Sequence, residues 1–335
     1  MCPTDIEVPP YVERPGYRGW RPGRRAGRPD GAGRTDRPAG TGFPEDHMLL
    51  VTGVNGGLGS LVLERLAGRP GGPEGVVAGS RTPERAPVAG VPVRKVDFDR
   101  PETLAEAFTG VRTLLLVSAG YGEDDVVIAR HRAAIEAAER AGVEHVVYTS
   151  LSGDGDHLAY ALAHRWTERR LRESATLRWT ILRNGLYAEL LAFLARPDAD
   201  GVITAPLADG RLAAVAREDL AEVAAKVASA PAEHAGRVYE LVGEEAVGAA
   251  EVAATLTRST GRPVEYRPGT FAQARAAIAA SGAESFQVPM VAGTLSSIAH
   301  GFLAGPGKPG DLAALLGRAP RPALEVIAAG TDAAW

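Results

Sequence analysis

The sequence predicts an α/β protein built on a doubly wound parallel sheet, with a smaller α/β C-terminal lobe. Three observations carry this. From Met48 onward, short apolar runs alternate with amphipathic stretches of helical period. The runs lack the polar alternation of a half-solvated sheet, so both sheet faces must be covered. A glycine cluster follows the first run directly and opens a helix, the arrangement at the head of a Rossmann-type fold.

Taken in order, Met48–Thr52 reads as the first strand, and Leu58 to Leu66 as a helix ending near Gly68. Gly75–Gly79 and Val91–Val96 read as the second and third strands. Asp99 to Ala107 reads as a short helix with Pro101 in its first turn, where a missing N–H costs little. Thr113–Val117 is a buried strand, Asp124 to Ala141 a long helix stopped by Gly142, and His145–Thr149 a fifth strand. Helices are expected around 158–174 and 218–229, with strands at Thr180–Leu182 and Arg237–Leu241. Beyond residue 245 the chain is alanine-rich and reads as helical, broken at Gly261-Arg262-Pro263 and by the loop 305–310.

The expected organisation is a tail at 1–46, a nucleotide domain at 47–185 and a smaller lobe at 186–335. That lobe is interleaved with the sheet and closes over its carboxyl edge. Pro, Gly and Arg dominate the tail without any period, so it cannot bury enough apolar surface to offset its ordering entropy and is expected to be disordered. Its arginines are nearly cancelled by acids such as Asp5, Glu7, Asp30 and Asp36. Met48, immediately before the first strand, is an alternative start.

With 335 residues, 45% hydrophobic, and a net charge of −4, the chain can bury a large core and has no general attraction for nucleic acid or anionic lipid. One cysteine, Cys2, excludes an internal disulfide and a cysteine-built metal site, and no zinc cluster is evident. No run approaches the ~20 apolar residues of a membrane span, and the N-terminus lacks a signal-peptide core. A soluble cytoplasmic protein is expected, with neither nucleic acid nor membrane as partner.

The chemistry begins at Thr52-Gly53-Val54-Asn55-Gly56-Gly57-Leu58-Gly59. Gly53 permits a tight turn, Gly56 lets backbone approach a pyrophosphate, and Gly59 allows close helix–strand packing. The helix N-terminus presents free N–H groups to phosphate. The second strand ends in Gly79-Ser80-Arg81-Thr82, with no acid before Glu84. Arg81 can pair with a 2′-phosphate where an NAD enzyme would place a carboxylate on the ribose, so NADPH is the cofactor expected. The bland alternative is a solvated loop arginine.

The glycine loop, Tyr148-Thr149-Ser150 and Leu182-Arg183-Asn184-Gly185-Leu186-Tyr187 together resemble the NmrA-like atypical short-chain dehydrogenases. Within that group they resemble bacterial quinone oxidoreductases of the second type and triphenylmethane reductases. The likeness continues through His234–Leu241 and Leu316-Gly317-Arg318, covering about residues 48 to 330. It implies hydride delivery from NADPH to a flat conjugated or quinone-like small molecule, and leaves room for a homodimer without requiring one. It places Asp97 and Phe98 beside the adenine, Val117 and Ser118 along the cofactor, and Arg183-Asn184 near the nicotinamide. Asn55 and Gly57 stand where the family commonly has Thr and Gln. Arg169 replaces a common Lys; it could hold a ribose or phosphate, but its very high pKa disqualifies it as a proton shuttle.

Among catalytic candidates, Tyr160 and His164 are spaced to share a helical face and could form an acid–relay couple, or pack locally. Tyr187 could donate a proton or stack on a flat substrate, and Asn184 could hydrogen-bond the nicotinamide amide; each has a structural alternative. Two functions are expected: an NADPH-dependent oxidoreductase, or a redox sensor that binds NADP(H) and a protein partner without turnover. The missing Lys favours the sensor, and the Arg183–Tyr187 segment favours the enzyme. A tailoring role on an aromatic polyketide has no direct support.

Overall fold

Seven parallel strands form the central sheet of the computed structural model, which describes residues 48–86, 90–119, 122–305 and 310–330. The first six strands are β1 (Met48–Val51), β2 (Val76–Ser80), β3 (Val93–Lys95), β4 (Val111–Leu116), β5 (His145–Leu151) and β6 (Arg178–Asn184). After β7 (Val202–Ala205) and β8 (Arg211–Leu212) comes β9 (Val238–Leu241), then β10 (Val247–Gly248) and β11 (Glu265–Pro268). The sheet order is β3-β2-β1-β4-β5-β6-β9, so the direction of winding reverses between β1 and β4. That switch point is where an open α/β sheet leaves a crevice at its carboxyl edge.

The helices in the first part are α1 (Gly57–Ala67), α2 (Leu104–Ala107), α3 (Asp124–Ala141) and α4 (Ala161–Arg172). They are followed by α5 (Ala188–Leu194), α6 (Arg217–Ser229), α7 (Ala249–Thr260), α8 (Phe271–Ala280) and α9 (Gln287–Ala299), and last by α10 (Leu312–Leu316) and α11 (Ala323–Ala329). Strand side chains point alternately to two dry faces. Leu49 and Val51 of β1 pack with Val62 and Leu66 of α1 and with Leu220 and Val223 of α6. Leu50, with Leu114 and Leu116 of β4, packs with Ile135 of α3 and Leu171 of α4. Each such leucine taken fully out of water contributes about 1.5–3 kcal/mol. A third cluster, including Leu191, Ile203, Val252, Leu295 and Ile327, joins the second half of the chain to Leu151, Leu158 and Ala161.

The alternation of strand and helix is as predicted, and α3 runs over the predicted span, ending at Gly142 in the left-handed conformation (φ 74°). Pro101 opens a tight 3-10 turn, Pro101–Thr103, and only Leu104–Ala107 is α-helical, so the Asp99–Ala107 helix is shorter than expected. The small sheets β7–β11 and β8–β10, and helix α5, were not foreseen. Glu265–Pro268 carries no apolar run and is a strand because Val202–Ala205 offers a parallel partner. The expectations for the tail at 1–46 lie outside the described residues. In the second half, α6 packs on α1 and β9 extends the main sheet beside β6.

Candidate functional site

The glycine loop sits at the sheet's switch point. Gly53 has φ +65°, which favours glycine. A Cβ at Gly59 would collide with the Gly53 carbonyl, and one at Gly56 would stand 3.3 Å from the same oxygen. The loop is thus a cradle that side chains would fill. No acid occupies the first turn of α1, so the partial positive charge of its N-terminus is not cancelled from within. The Thr52 Oγ1 accepts the Val117 N–H (3.0 Å), and Thr149 Oγ1 accepts that of Ser118 (3.0 Å). These bonds fix the end of β4 beside the loop.

The cleft above these elements has a volume of about 2310 Å³. One small ligand needs roughly 300–1,000 Å³, so a dinucleotide and a second molecule fit together. Gly53, Asn55, Gly56, Gly57, Leu58 and Gly59 all line it. Arg81, Asp97, Phe98, Val117, Ser118 and Tyr187 line it too. Beyond β2, Asn55 Nδ2 donates to Thr82 Oγ1 (2.9 Å), and Ser80 Oγ accepts the Thr82 N–H (3.0 Å). The glycine loop is therefore clipped to the segment that presents Arg81, an exposed side chain on the cleft wall. Asp97 Oδ1 accepts the Asp99 N–H (3.1 Å), and Asp99 is gripped by Arg130 through two bonds (2.6 and 2.9 Å). The Arg130 guanidinium holds the Asp99 carboxyl below the usual carboxylate range.

Behind the Val117–Ala119 wall lies a buried polar chain that sequence reasoning missed. The Ala119 N–H donates to Nε2 of His131 (3.0 Å), so that nitrogen is bare. Nδ1 must carry the proton, which it gives to Thr167 Oγ1 (2.8 Å); Thr167 passes its own to the Ala163 carbonyl (2.7 Å). Burial lowers the His131 pKa to about 3, consistent with this neutral tautomer. Tyr148, edge-on to His131, bonds His164 Nδ1 (2.8 Å). Burial raises the Tyr148 pKa and lowers that of His164 to about 4, so the phenol donates and the imidazole accepts.

Four candidate residues, Tyr160, His164, Arg169 and Arg183, do not line the cleft. His164 faces Tyr148 in the interior, not the cleft, and Tyr160 precedes α4 and points to Thr294 (3.4 Å), so the Tyr160–His164 couple does not form. Arg169 lies on the solvent face of α4, 79% exposed and paired with Glu173 (2.8 Å), away from the cofactor cleft. Arg183 grips Glu168 with two bonds (2.8 and 2.7 Å) and reaches Glu240 (2.8 Å). Glu168 is buried and also takes Arg165 (2.7 Å), Arg172 (3.1 Å) and Ser150 (2.7 Å). Burial pushes its pKa up, but Arg183, Ser150 and Arg165 outweigh this and the net shift is downward.

Where the cleft turns toward the lobe, Tyr187 stands under the Arg217 guanidinium, 4.9 Å from ring centroid to Cζ. Burial raises the Tyr187 pKa against the opposing pull of Arg217, keeping the phenol protonated. Asn184 is buried at the end of β6, and its Oδ1 has no hydrogen-bond partner among the described residues. Val126 and Phe193, two of the exposed large hydrophobic residues, also line the cleft. Arg217, just before the helix expected at 218–229, was not singled out from the sequence as a site residue. Nothing local marks it, because its neighbours Gly57 and Tyr187 are distant in the chain.

A doubly wound sheet with a glycine cradle at its switch point and a long cleft beyond defines a dinucleotide-binding protein. The chain belongs to the NAD(P)H-binding family, which it matches over residues 53–231. It is similar to quinone oxidoreductase 2 of Escherichia coli, 37% identical over 240 residues, 70% of this chain and 82% of that one. It is also similar to an NmrA-like family domain-containing oxidoreductase of Aspergillus flavus, 34% identical over 228 residues, 65% of this chain and 73% of the other. The crystal structure of Citrobacter sp. triphenylmethane reductase complexed with NADP(H) matches with a TM-score of 0.75 at 28% identity, across 84% of this chain and 98% of that one. The resemblance read from the motifs is borne out, and the protein is an NAD(P)H-binding oxidoreductase. Among the described residues no helix is long and apolar enough to cross a membrane.

Proposed function

We propose that this protein is an NADPH-dependent reductase of flat conjugated acceptors of the quinone class. The observation that carries the reading is the large cleft whose lining joins the glycine cradle to Tyr187 and to the exposed side chains of Val126 and Phe193. The reduced nicotinamide, when bound, supplies hydride to the acceptor. The loop Gly53–Gly59 and the N-terminus of α1 would hold the phosphates, and Arg81 the 2′-phosphate. Asp97 and Phe98 are assigned to the adenosine end, and Val117 and Ser118 to the wall along the cofactor. Asn184 is buried beside Tyr187 and off the cleft lining, so it is assigned to positioning that ring and not to contact with the bound molecules.

Val126 and Phe193 offer apolar contacts to a planar molecule, and the Tyr187 ring a stacking face. Tyr187, protonated across the neutral range, can also donate a hydrogen bond to an acceptor oxygen. A reduced quinone oxygen is a weak base that water can protonate, so catalysis rests on binding and orientation. The sensor alternative leaned on the missing Lys at 169 and on the lack of a clear acid, neither of which this chemistry requires.

The test is oxidation of NADPH by purified protein with a panel of quinones, followed by the loss of reduced-nicotinamide absorbance, with NADH in parallel. Turnover with NADPH preferred is the expected result. Tight NADPH binding without oxidation across the panel would overturn the reductase reading and leave the sensor.

A further inference from the structure

We propose that Arg217 is a phosphate-binding residue of the dinucleotide site, delivered to the glycine loop by α6 and admitted there by Gly57. The inference rests on dinucleotide occupancy of the cleft and is independent of which acceptor is reduced.

The placement follows from packing. Helices α1 and α6 run side by side in the same direction, through Val62 and Leu66 on one and Leu220, Val223 and Val227 on the other. Gly57 lies beside Arg217 at one end, and Arg69 Nη1 donates to Ser229 Oγ (2.9 Å) at the other. Both N-termini therefore reach the cleft together. The Arg217 guanidinium lies against the loop: a Cβ at position 57 would stand 2.5 Å from its Nη1 and 3.1 Å from its Cζ. A side chain there would have to push the arginine away, so glycine at 57 is what lets the cation close on the cradle.

The acids that follow Arg217 in α6 are turned elsewhere: Glu218 pairs with Arg65 (3.2 Å) and Arg321 (3.0 Å), and buried Asp219 is held by Arg318 (2.8 Å) and Arg321. On the backbone side, the Arg217 N–H donates to Glu189 (3.2 Å), and on the ring side the guanidinium stacks over Tyr187. The side chain thus bridges the phosphate cradle and the substrate end of the cleft. A planar guanidinium matches phosphate oxygens with two parallel donors, and lysine does not. A dinucleotide diphosphate on the α1 N-terminus presents such oxygens.

The experiment titrates NADPH, with adenosine 2′-monophosphate as a control that lacks the diphosphate, into wild type, Arg217→Ala, Arg217→Lys, Gly57→Gln and the Arg217→Ala/Gly57→Gln pair. Thermal melting of each variant checks the fold. Arg217→Ala is expected to weaken NADPH about ten- to hundredfold, the loss of one charge-assisted hydrogen bond, and to leave the control within about twofold. Arg217→Lys should fall between, and Arg217→Ala should cost less in the Gly57→Gln background, where the arginine is already displaced. Wild-type affinity for NADPH in a folded Arg217→Ala protein overturns the proposal. So does an equal loss of both ligands, which would make Arg217 merely structural. A wild-type protein that binds no NADPH overturns the underlying reading of the cleft and the proposal with it.

Discussion

His131 Nε2 accepts the Ala119 N–H at 3.0 Å, and so ties the wall of the cofactor cleft to the interior of the sheet through an imidazole that must stay neutral. Its pKa, lowered from 6.5 to about 3 by burial, and that of His164, lowered to about 4, carry a pH dependence. Between these values and 6.5 the unfolded chain binds protons that the folded one does not, so stability is full above pH 6.5 and falls as pH drops toward 4. Urea unfolding across this range should show an uptake of about two protons on unfolding. His131→Gln, which keeps an acceptor but does not titrate, should flatten the slope. A level profile in the wild type would refute the neutral-histidine network.

Arg81→Ala should separate the two nicotinamide cofactors. The loss of a charge-assisted contact is expected to weaken NADPH by about ten- to hundredfold. NADH, without the 2′-phosphate, should bind nearly as before. Equal weakening of both would mean that the 2′-phosphate is held elsewhere.

Gly59→Ala tests the cradle by volume alone. The added methyl would press on the Gly53 carbonyl, forcing α1 away from β1. A destabilisation of about 1–3 kcal/mol is expected, with loss of NADPH binding at temperatures where the variant is still folded. An unperturbed melting curve with wild-type affinity would show that the packing has slack.

Two neighbours on α4 should behave in opposite ways. Glu168→Ala leaves Arg183, Arg165 and Arg172 facing a buried void and should cost about 3–5 kcal/mol by chemical denaturation. Arg169→Ala removes a solvent-exposed pair and should stay within about 0.5 kcal/mol, with NADPH affinity unchanged. Loss of cofactor in the second variant would return Arg169 to the site.

These contrasts show what the sequence could and could not express. The glycine loop, β1 to β6 and α3 were legible because their signals are local: apolar runs, helical period, and a glycine at each sharp turn. The place of Arg81 on the cleft lining was legible because it directly follows β2. The roles of Arg169 and Arg183 depend on which face of α4 or β6 meets the sheet, and spacing alone does not say. His131 reads as one polar residue in a helix; only the fold brings it to Ala119 and Thr167. Likewise β7 and β11 are strands by virtue of each other, although paired positions such as Val202 and Glu265 stand 63 residues apart in the chain.

The pairing of β9 with β6, in register from Ile181 with Val238 to Asn184 with Leu241, bears on how the protein is made. A growing chain that has already delivered the whole glycine loop still has a bare edge at β6, open to pairing with any other nascent strand. Closure waits for the segment up to Leu241 to leave the ribosome. A fragment cut near residue 185 would keep the whole glycine loop and still lack the last strand of its sheet, so the sheet that carries the loop is completed late in synthesis.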